Sequence, residues 1–261
     1  MKIDHDLHIH TYLSSCCAEK ERQTPRNILA LAEEMGVNTI GFADHMWVNP
    51  DLPPSDWYRS QDERQTSRLR ADLSSVSTRV RVLVGCEADM VAPGKVGLTP
   101  EAAGKLDFVL LACSHFHMRE FVEQPASHAP RDIARHMLKF FRAGVTSGIA
   151  TSIAHPFLPC GYVEQYDAAI AAVSDGEFLD AFGQAAEQDV GLEVTAAFLP
   201  SPPESSFSLE TPVRFLSLAR KARCRFTFGT DAHDPEAQKR LPELMRIVKA
   251  VGITNEDVLP L

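Results

Sequence analysis

The sequence predicts an α/β barrel of parallel strands. Three observations carry that reading. Short apolar strands alternate with helical stretches, giving seven strand units. The length of 261 residues suits one closed or nearly closed barrel better than two open domains, so residues 1–261 read as one barrel domain. His and acidic residues recur directly after the strands, where a parallel barrel collects its binding groups.

The elements follow in order. Ile3–His8 reads as the first strand. Pro25–Met35 reads as a helix, with Thr24 as N-cap, Pro25 at the first helical position and Gly36 as the stop. Val37–Ala43 is a buried strand, and Ser60–Ser77 has polar helical spacing. Val80–Cys86 and Leu106–Ala112 are strands. Arg131–Ala143 is an amphipathic helix. Ile149–Ala154 is a strand, Phe178–Gln188 a helix and Val190–Val194 a strand. Val213–Lys221 is a helix, Arg225–Phe228 the seventh strand, and Pro235–Val251 a closing helix. Apolar strands separated by helices pair in parallel through right-handed crossovers. Loops Trp47–Trp57, Ala88–Thr99 and Leu199–Pro212 all follow strands and would crowd one rim.

Composition excludes several classes. Hydrophobic residues make up 44% and charged residues 23%, as in ordinary globular chains. The net charge of −9 repels a phosphate backbone, so a nucleic-acid polymer is disfavoured as partner. No run of 18 apolar residues exists to span a membrane, and the N-terminus MKIDHDLHIH lacks a signal-peptide stretch. The expected location is cytoplasmic, with the six Cys reduced. Nothing in the sequence speaks to oligomeric state.

The ten His are unevenly placed. His8 and His10 end the first strand as D-L-H-I-H. Residues two apart on a strand point the same way, so both imidazoles can reach one ion. Asp44 and His45 follow the second strand, Glu87 the third, His115 the fourth and His155 the fifth. Asp231 and His233 follow the seventh. One His at a strand end is ordinarily a hydrogen-bonded structural residue. Recurrence after six of seven strands points instead to a polynuclear metal site. Imidazole and carboxylate donors suit Zn, Fe and Mn better than Ca or Mg.

These motifs, DLHIHT, ADH, G-x-E, S-H, AHP and GTDAH, resemble in order and spacing the polymerase and histidinol phosphatase (PHP) superfamily. The likeness runs from Asp6 to His233. It implies a distorted (β/α)7 TIM-like barrel with two to three divalent ions (Zn, Mn or Fe) at the C-terminal rim of the strands. It implies a first ion on His8, His10, Asp231 and a bridging Glu87. A second would sit on Glu87, His115 and His155, and a third on His45, His233 and one residue after the H-x-H. The phosphatase branch usually has a His six positions past that pair, and here the position is Cys16. Either the Cys16 thiolate is the ligand, or the third site is weak or empty.

The expected activity is hydrolysis of a small phosphomonoester, like that of a histidinol phosphatase, with a hydroxide held between two ions as nucleophile. Glu87 and Asp231 would carry catalysis with the ions, and His117, His233 or a metal-bound water would protonate the leaving oxygen. Lys20, Arg22, Lys95 and Arg119 are the candidate phosphate clamps. Asp6, Asp44 and Glu193 would support the ligands from behind. His5 reads as structural, His128 and His136 as solvated, and Cys86, Cys113, Cys160 and Cys224 as small core residues. Two other functions compete: hydrolysis of a non-phosphate bond such as an amide, and a non-catalytic metal-binding barrel.

Overall fold

A computed structural model describes residues 1–199 and 207–261 of the chain. Its strands are β1 (His5–Ile9), β2 (Thr39–Phe42), β3 (Arg81–Val84), β4 (Cys86–Ala92), β5 (Lys95–Val96), β6 (Val109–Ala112), β7 (Ser152–Ala154), β8 (Gly191–Thr195) and β9 (Phe226–Gly229). The helices are α1 (Pro25–Met35), α2 (Glu63–Leu73), α3 (Pro100–Ala103), α4 (Pro130–Val145), α5 (Tyr166–Ala171), α6 (Asp175–Glu187), α7 (Glu210–Lys221), α8 (Pro235–Gln238) and α9 (Met245–Val251).

Two sheets, β1-β2-β3 and β5-β4-β6-β7-β8-β9, form one distorted ring. β3 pairs in parallel with β2 and runs on through Gly85 into β4, which pairs in parallel with β6. A parallel bridge between His45 and Glu87 spans the change of sheet, and another between Ile9 and Ala232 joins β1 to the end of β9. Counting β3 with β4 and setting aside the antiparallel β5, the ring has seven parallel positions among the described residues. Leu7, Leu83, Leu110 and Ala154, from different sides of the ring, pack together with Phe108 in its interior. The larger core lies between the strands and the outer helices.

Local chemistry explains the helix ends. The Thr24 side chain accepts from Asn27 N, Pro25 opens α1, and Gly36 closes it at φ 66°. Ser174 and Glu177 cap α6 reciprocally. On α4, Ile133, Met137, Phe140 and Phe141 are buried.

Several boundaries differ from expectation. The third strand does not stop at Cys86. It continues to Ala92 and turns back through β5, replacing the expected Ala88–Thr99 loop, because Cys86–Asp89 pairs with Val109–Ala112. The closing helix is divided into α8, a 3₁₀ turn over Leu241–Leu244 and α9. Pro242, which has no N–H to donate, lies in the break. Helices α3 and α5 are four and six residues long, too short to show a helical period in sequence. Of the expected Leu199–Pro212 loop, residues 200–206 lie outside the described ones. No described helix is long and apolar enough to cross a membrane.

Candidate metal centre

Six of the seven positions in the ring deliver candidate ligands to one rim. His8 comes from β1 and His10 directly follows it, His45 comes from just after β2, and Glu87 from β4. His115 follows β6, His155 follows β7, and Asp231 and His233 follow β9. Both His155 (φ 28°) and Asp231 (φ 55°) have left-handed backbone, costly for residues with a Cβ. That conformation turns the chain at the strand ends and aims both side chains into the cluster.

Glu87 is the hub. Its Oε2 lies 3.4 Å from His8 Nε2, 3.5 Å from His10 Nε2 and 3.4 Å from His45 Nδ1. Its other oxygen, Oε1, lies 2.9 Å from His155 Nε2 and 3.6 Å from His115 Nε2. The carboxylate thus presents one oxygen to each of two imidazole groups. Asp231 Oδ1 closes the first group, at 3.4 Å from His8 Nε2 and 3.3 Å from His10 Nε2.

His155 Nε2 and Glu87 Oε1 are at hydrogen-bond distance, whereas the contacts of 3.3–3.6 Å fit metal ligation. A tetrahedral ion with bonds of about 2.1 Å separates its ligand atoms by about 3.4 Å. Hydrogen bonds would instead bring N and O to about 2.9 Å. His8 Nε2, His10 Nε2 and His45 Nδ1 are buried without any hydrogen-bond partner, a costly arrangement unless a cation uses their lone pairs. Four ligand groupings emerge among the described residues: His8, His10 and Glu87; His10, Asp231 and His233; His10, Cys16 and His45; and His115, His155 and Cys160. The site therefore fits several ions.

The electrostatics agree. Burial alone would raise Glu87, yet His45, His8 and His115 hold its carboxyl well below the usual range. Burial likewise opposes charge on His8 and His45. Glu193, Asp231 and Glu87 raise His8 well above its ordinary value, and Glu87 and Asp89 do the same for His45. A cluster this rich in carboxylate draws positive charge, as protons on imidazole or as divalent ions. A hydrogen bond from Cys17 outweighs burial and lowers the Cys16 thiol, with His10 and His233 adding to the effect.

Buried partners fix the ligand rings from behind. Glu193 Oε1 lies 2.7 Å from His8 Nδ1, and its Oε2 accepts His155 N at 2.6 Å. Ser114 Oγ is 2.9 Å from His155 Nδ1. Asp89 Oδ1 is 2.5 Å from His115 Nδ1, and its Oδ2 accepts from the Tyr58 hydroxyl. Each contact leaves the ring's Nε2 facing Glu87. Asp6 ties Thr230 N and Oγ1 to His8 N. Asp44 holds Thr11 N and Oγ1, fixing the turn after the H-x-H.

A cavity of about 510 Å³ opens over the cluster. Cys16, His45, Glu87, His115, His117, Asp231 and His233 line it, together with Trp57, Tyr58, Met118, Phe121 and Cys160.

The structure sets the expected phosphate clamps apart from the cavity lining. Lys20, Arg22, Lys95 and Arg119 are all exposed, and none lines the cavity. Arg22 pairs with Glu19 and Glu236, and Arg119 lies over the Tyr162 ring and donates to Gly161 O. Lys95 projects from the hairpin strand β5. Long flexible cations keep their charge in water where no buried anion draws them in. His136 is corrected: it is buried on α4 against Phe116 and Phe140, with Nε2 2.8 Å from Glu123 O. Cys160 departs from the expected core role by joining His115 and His155. Cys86, Cys113 and Cys224 are buried, and all six Cys are free thiols. His5 accepts from Phe228 N, and exposed His128 packs on Tyr162.

Sequence reasoning missed Asp89, although its signal was present. Glu87 and Asp89 stand two apart on one strand, the same relation that singles out His8 and His10. Nothing local marked Tyr58 or Ser114.

A parallel-stranded α/β barrel with imidazoles and carboxylates converging at the carboxyl ends of its strands defines a barrel whose rim is fitted to hold metal ions. The family model for the PHP domain matches residues 6–197, and the chain belongs to that family. No curated protein matches the sequence.

Proposed function

We propose that the chain is a metal-dependent phosphoesterase that hydrolyses a small phosphomonoester, with residues 1–261 acting as one barrel unit and two to three Zn, Mn or Fe ions bound at the rim. The carrying observation is Glu87, whose two oxygens face two separate imidazole groups. That arrangement supports a pair of ions sharing one carboxylate.

Bound ions would supply Lewis acidity and a water acidified enough to act as nucleophile near neutral pH. The chain's own residues do the rest. His8, His10, Asp231 and Glu87 would hold one centre, and Glu87, His115 and His155 would hold the second. Glu193, Asp89 and Ser114 keep the imidazoles turned toward Glu87. Cys16, His45 and His233 would supply donors for a third ion, Cys16 and His45 grouping with His10, and His233 with His10 and Asp231. His117 and His233 both line the cavity; His117 would give a proton to the departing alkoxide, and His233 would do so where it holds no ion. Asp6 and Asp44 brace the turns that carry the ligands. The cavity's size and the acidic net charge favour a small ester over a nucleic-acid polymer.

The test is phosphate release by metal-loaded protein from p-nitrophenyl phosphate, histidinol phosphate and nucleoside monophosphates, run beside an amide and carboxyl-ester panel. Phosphate release from a monoester is expected. Turnover of amides with no phosphate released from any monoester would overturn the proposal.

A further inference from the structure

We propose, building on the phosphomonoesterase reading, that the substrate's leaving group is an uncharged aromatic alcohol whose ring lies on Trp57. The cavity has two chemically distinct sides. Its floor is the ligand cluster around Glu87 and Asp231. Its wall is Trp57, 40% exposed and, with Met1, one of two large apolar residues left exposed among the described ones. An exposed tryptophan lining a cavity leaves a broad apolar face in water, at a cost that a stacked ligand ring removes.

Wall and floor belong to one site. The Trp57 ring centroid is 5.0 Å from that of His45, at an interplanar angle of 73°. Trp57 rests edge-on against Tyr58 at 4.6 Å. Tyr58 is held in turn by Trp47 at 4.8 Å, Phe121 at 5.7 Å and its hydroxyl bond to Asp89. The wall is therefore braced by the same carboxylate that orients His115. Met118 and Phe121 add further apolar lining.

The missing chemistry is equally selective. Among the described residues no Lys or Arg lines the cavity, and its only carboxylates, Glu87 and Asp231, belong to the ligand cluster. A second phosphate or a carboxylate on the leaving group would lose its water without gaining a cation. An ammonium would find no free acid among the described lining residues. Both carry the cost of an unpaired charge in a confined site. A neutral ring carries none. In the reaction, the bond from phosphorus to the alcohol oxygen breaks and a bond from phosphorus to water oxygen forms. The alcohol oxygen takes a proton, releasing the aromatic alcohol and inorganic phosphate.

The experiment compares four primary alkyl phosphomonoesters on metal-loaded protein, n-propyl phosphate being the one matched to 2-phenylethyl phosphate in charge and leaving-group basicity. They are 2-phenylethyl phosphate, n-propyl phosphate, phosphoethanolamine and 3-phosphoglycerate. The expected kcat/KM for 2-phenylethyl phosphate exceeds each of the others by about tenfold or more, the scale of burying one ring. Trp57→Ala is expected to collapse that ratio through KM, and Trp57→Phe to preserve most of it. Binding is read separately with 2-phenylethylphosphonate, which cannot be hydrolysed. It should quench tryptophan fluorescence in the wild type and not in Trp57→Phe, where Trp47 alone remains. A ratio near one, or a ratio that survives Trp57→Ala, would overturn the proposal. If no ester releases phosphate, the phosphomonoesterase reading fails instead. The fluorescence titration then decides the wall's role alone, and absence of quenching overturns it.

Discussion

Asp89 Oδ1 lies 2.5 Å from His115 Nδ1, and this contact sets which nitrogen of His115 faces Glu87. The carboxylate is fully buried and also accepts from the Tyr58 hydroxyl, so one residue positions a ligand ring and the aromatic wall together. Asp89→Asn keeps the shape and removes the charge. Metal affinity at the Glu87, His115 and His155 group should fall about 10- to 100-fold, as for other second-layer carboxylates. Chelator competition measures it. Unchanged affinity would deny Asp89 this role.

Glu87→Gln should cost far more. The amide has one acceptor oxygen where two are needed, and its NH₂ would face imidazole nitrogens. Bound metal should drop by more than one equivalent, with activity falling by about two orders of magnitude or more. Elemental analysis beside circular dichroism separates loss of ions from loss of fold. Full metal retention would remove Glu87 from the hub.

The two cysteines allow a spectroscopic test. Cys16 groups with His10 and His45, and Cys160 with His115 and His155, on opposite sides of Glu87. Cobalt(II) bound by thiolate has a sulfur-to-metal charge-transfer absorption, which imidazole and carboxylate donors lack. Cys16→Ser should abolish one part of that band and lower bound metal by about one equivalent. Cys160→Ser reports on the other side. An unaltered spectrum and stoichiometry in either variant would make that thiol a bystander.

Gly229 faces the support layer directly. A Cβ there would run into Glu193 Oε1 and lie 2.6 Å from His8 Cβ. Gly229→Ala should therefore push Glu193 off His8, weakening metal binding about tenfold or more while changing no ligand. Isothermal titration with Zn is the measurement. A normal Kd would show that the β8 and β9 backbones yield at little cost.

Ion entry should release protons. Burial opposes protonation of His10, but Cys16 and Asp231 raise it to about 9, and His8 and His45 also stand well above 6.5. Groups with raised values carry protons at pH 7 in ion-free protein and must lose them to ligate, so metal affinity rises with pH. Adding Zn to chelator-treated protein in weak buffer at pH 7 should acidify the solution by more than one proton per ion. Tm should rise as well, since an ion at 100 times its Kd contributes about 2.7 kcal/mol. A pH-independent Kd would contradict this account.

Much of the rim was legible before any coordinates. His8 and His10, His45, Glu87, His115, His155, Asp231 and His233 each end or follow an apolar strand, and parallel strands of a barrel must end on one face. Local periodicity suffices for that, as it does for the Thr24 cap and the Gly36 stop of α1. What only the tertiary structure decided was distance across the ring. That Glu87 divides its oxygens between two imidazole groups, that Cys160 stands beside His115 and His155, and that Asp89 reaches both Tyr58 and His115 depend on ring closure and on β4 running past Cys86. The same holds for the four expected cations, whose place outside the cavity follows from solvation and from partners remote in sequence. Strand spacing is a property of a few neighbouring residues, so it is written in the chain. Which donors share an ion depends on register between strands far apart in sequence, and only packing sets it.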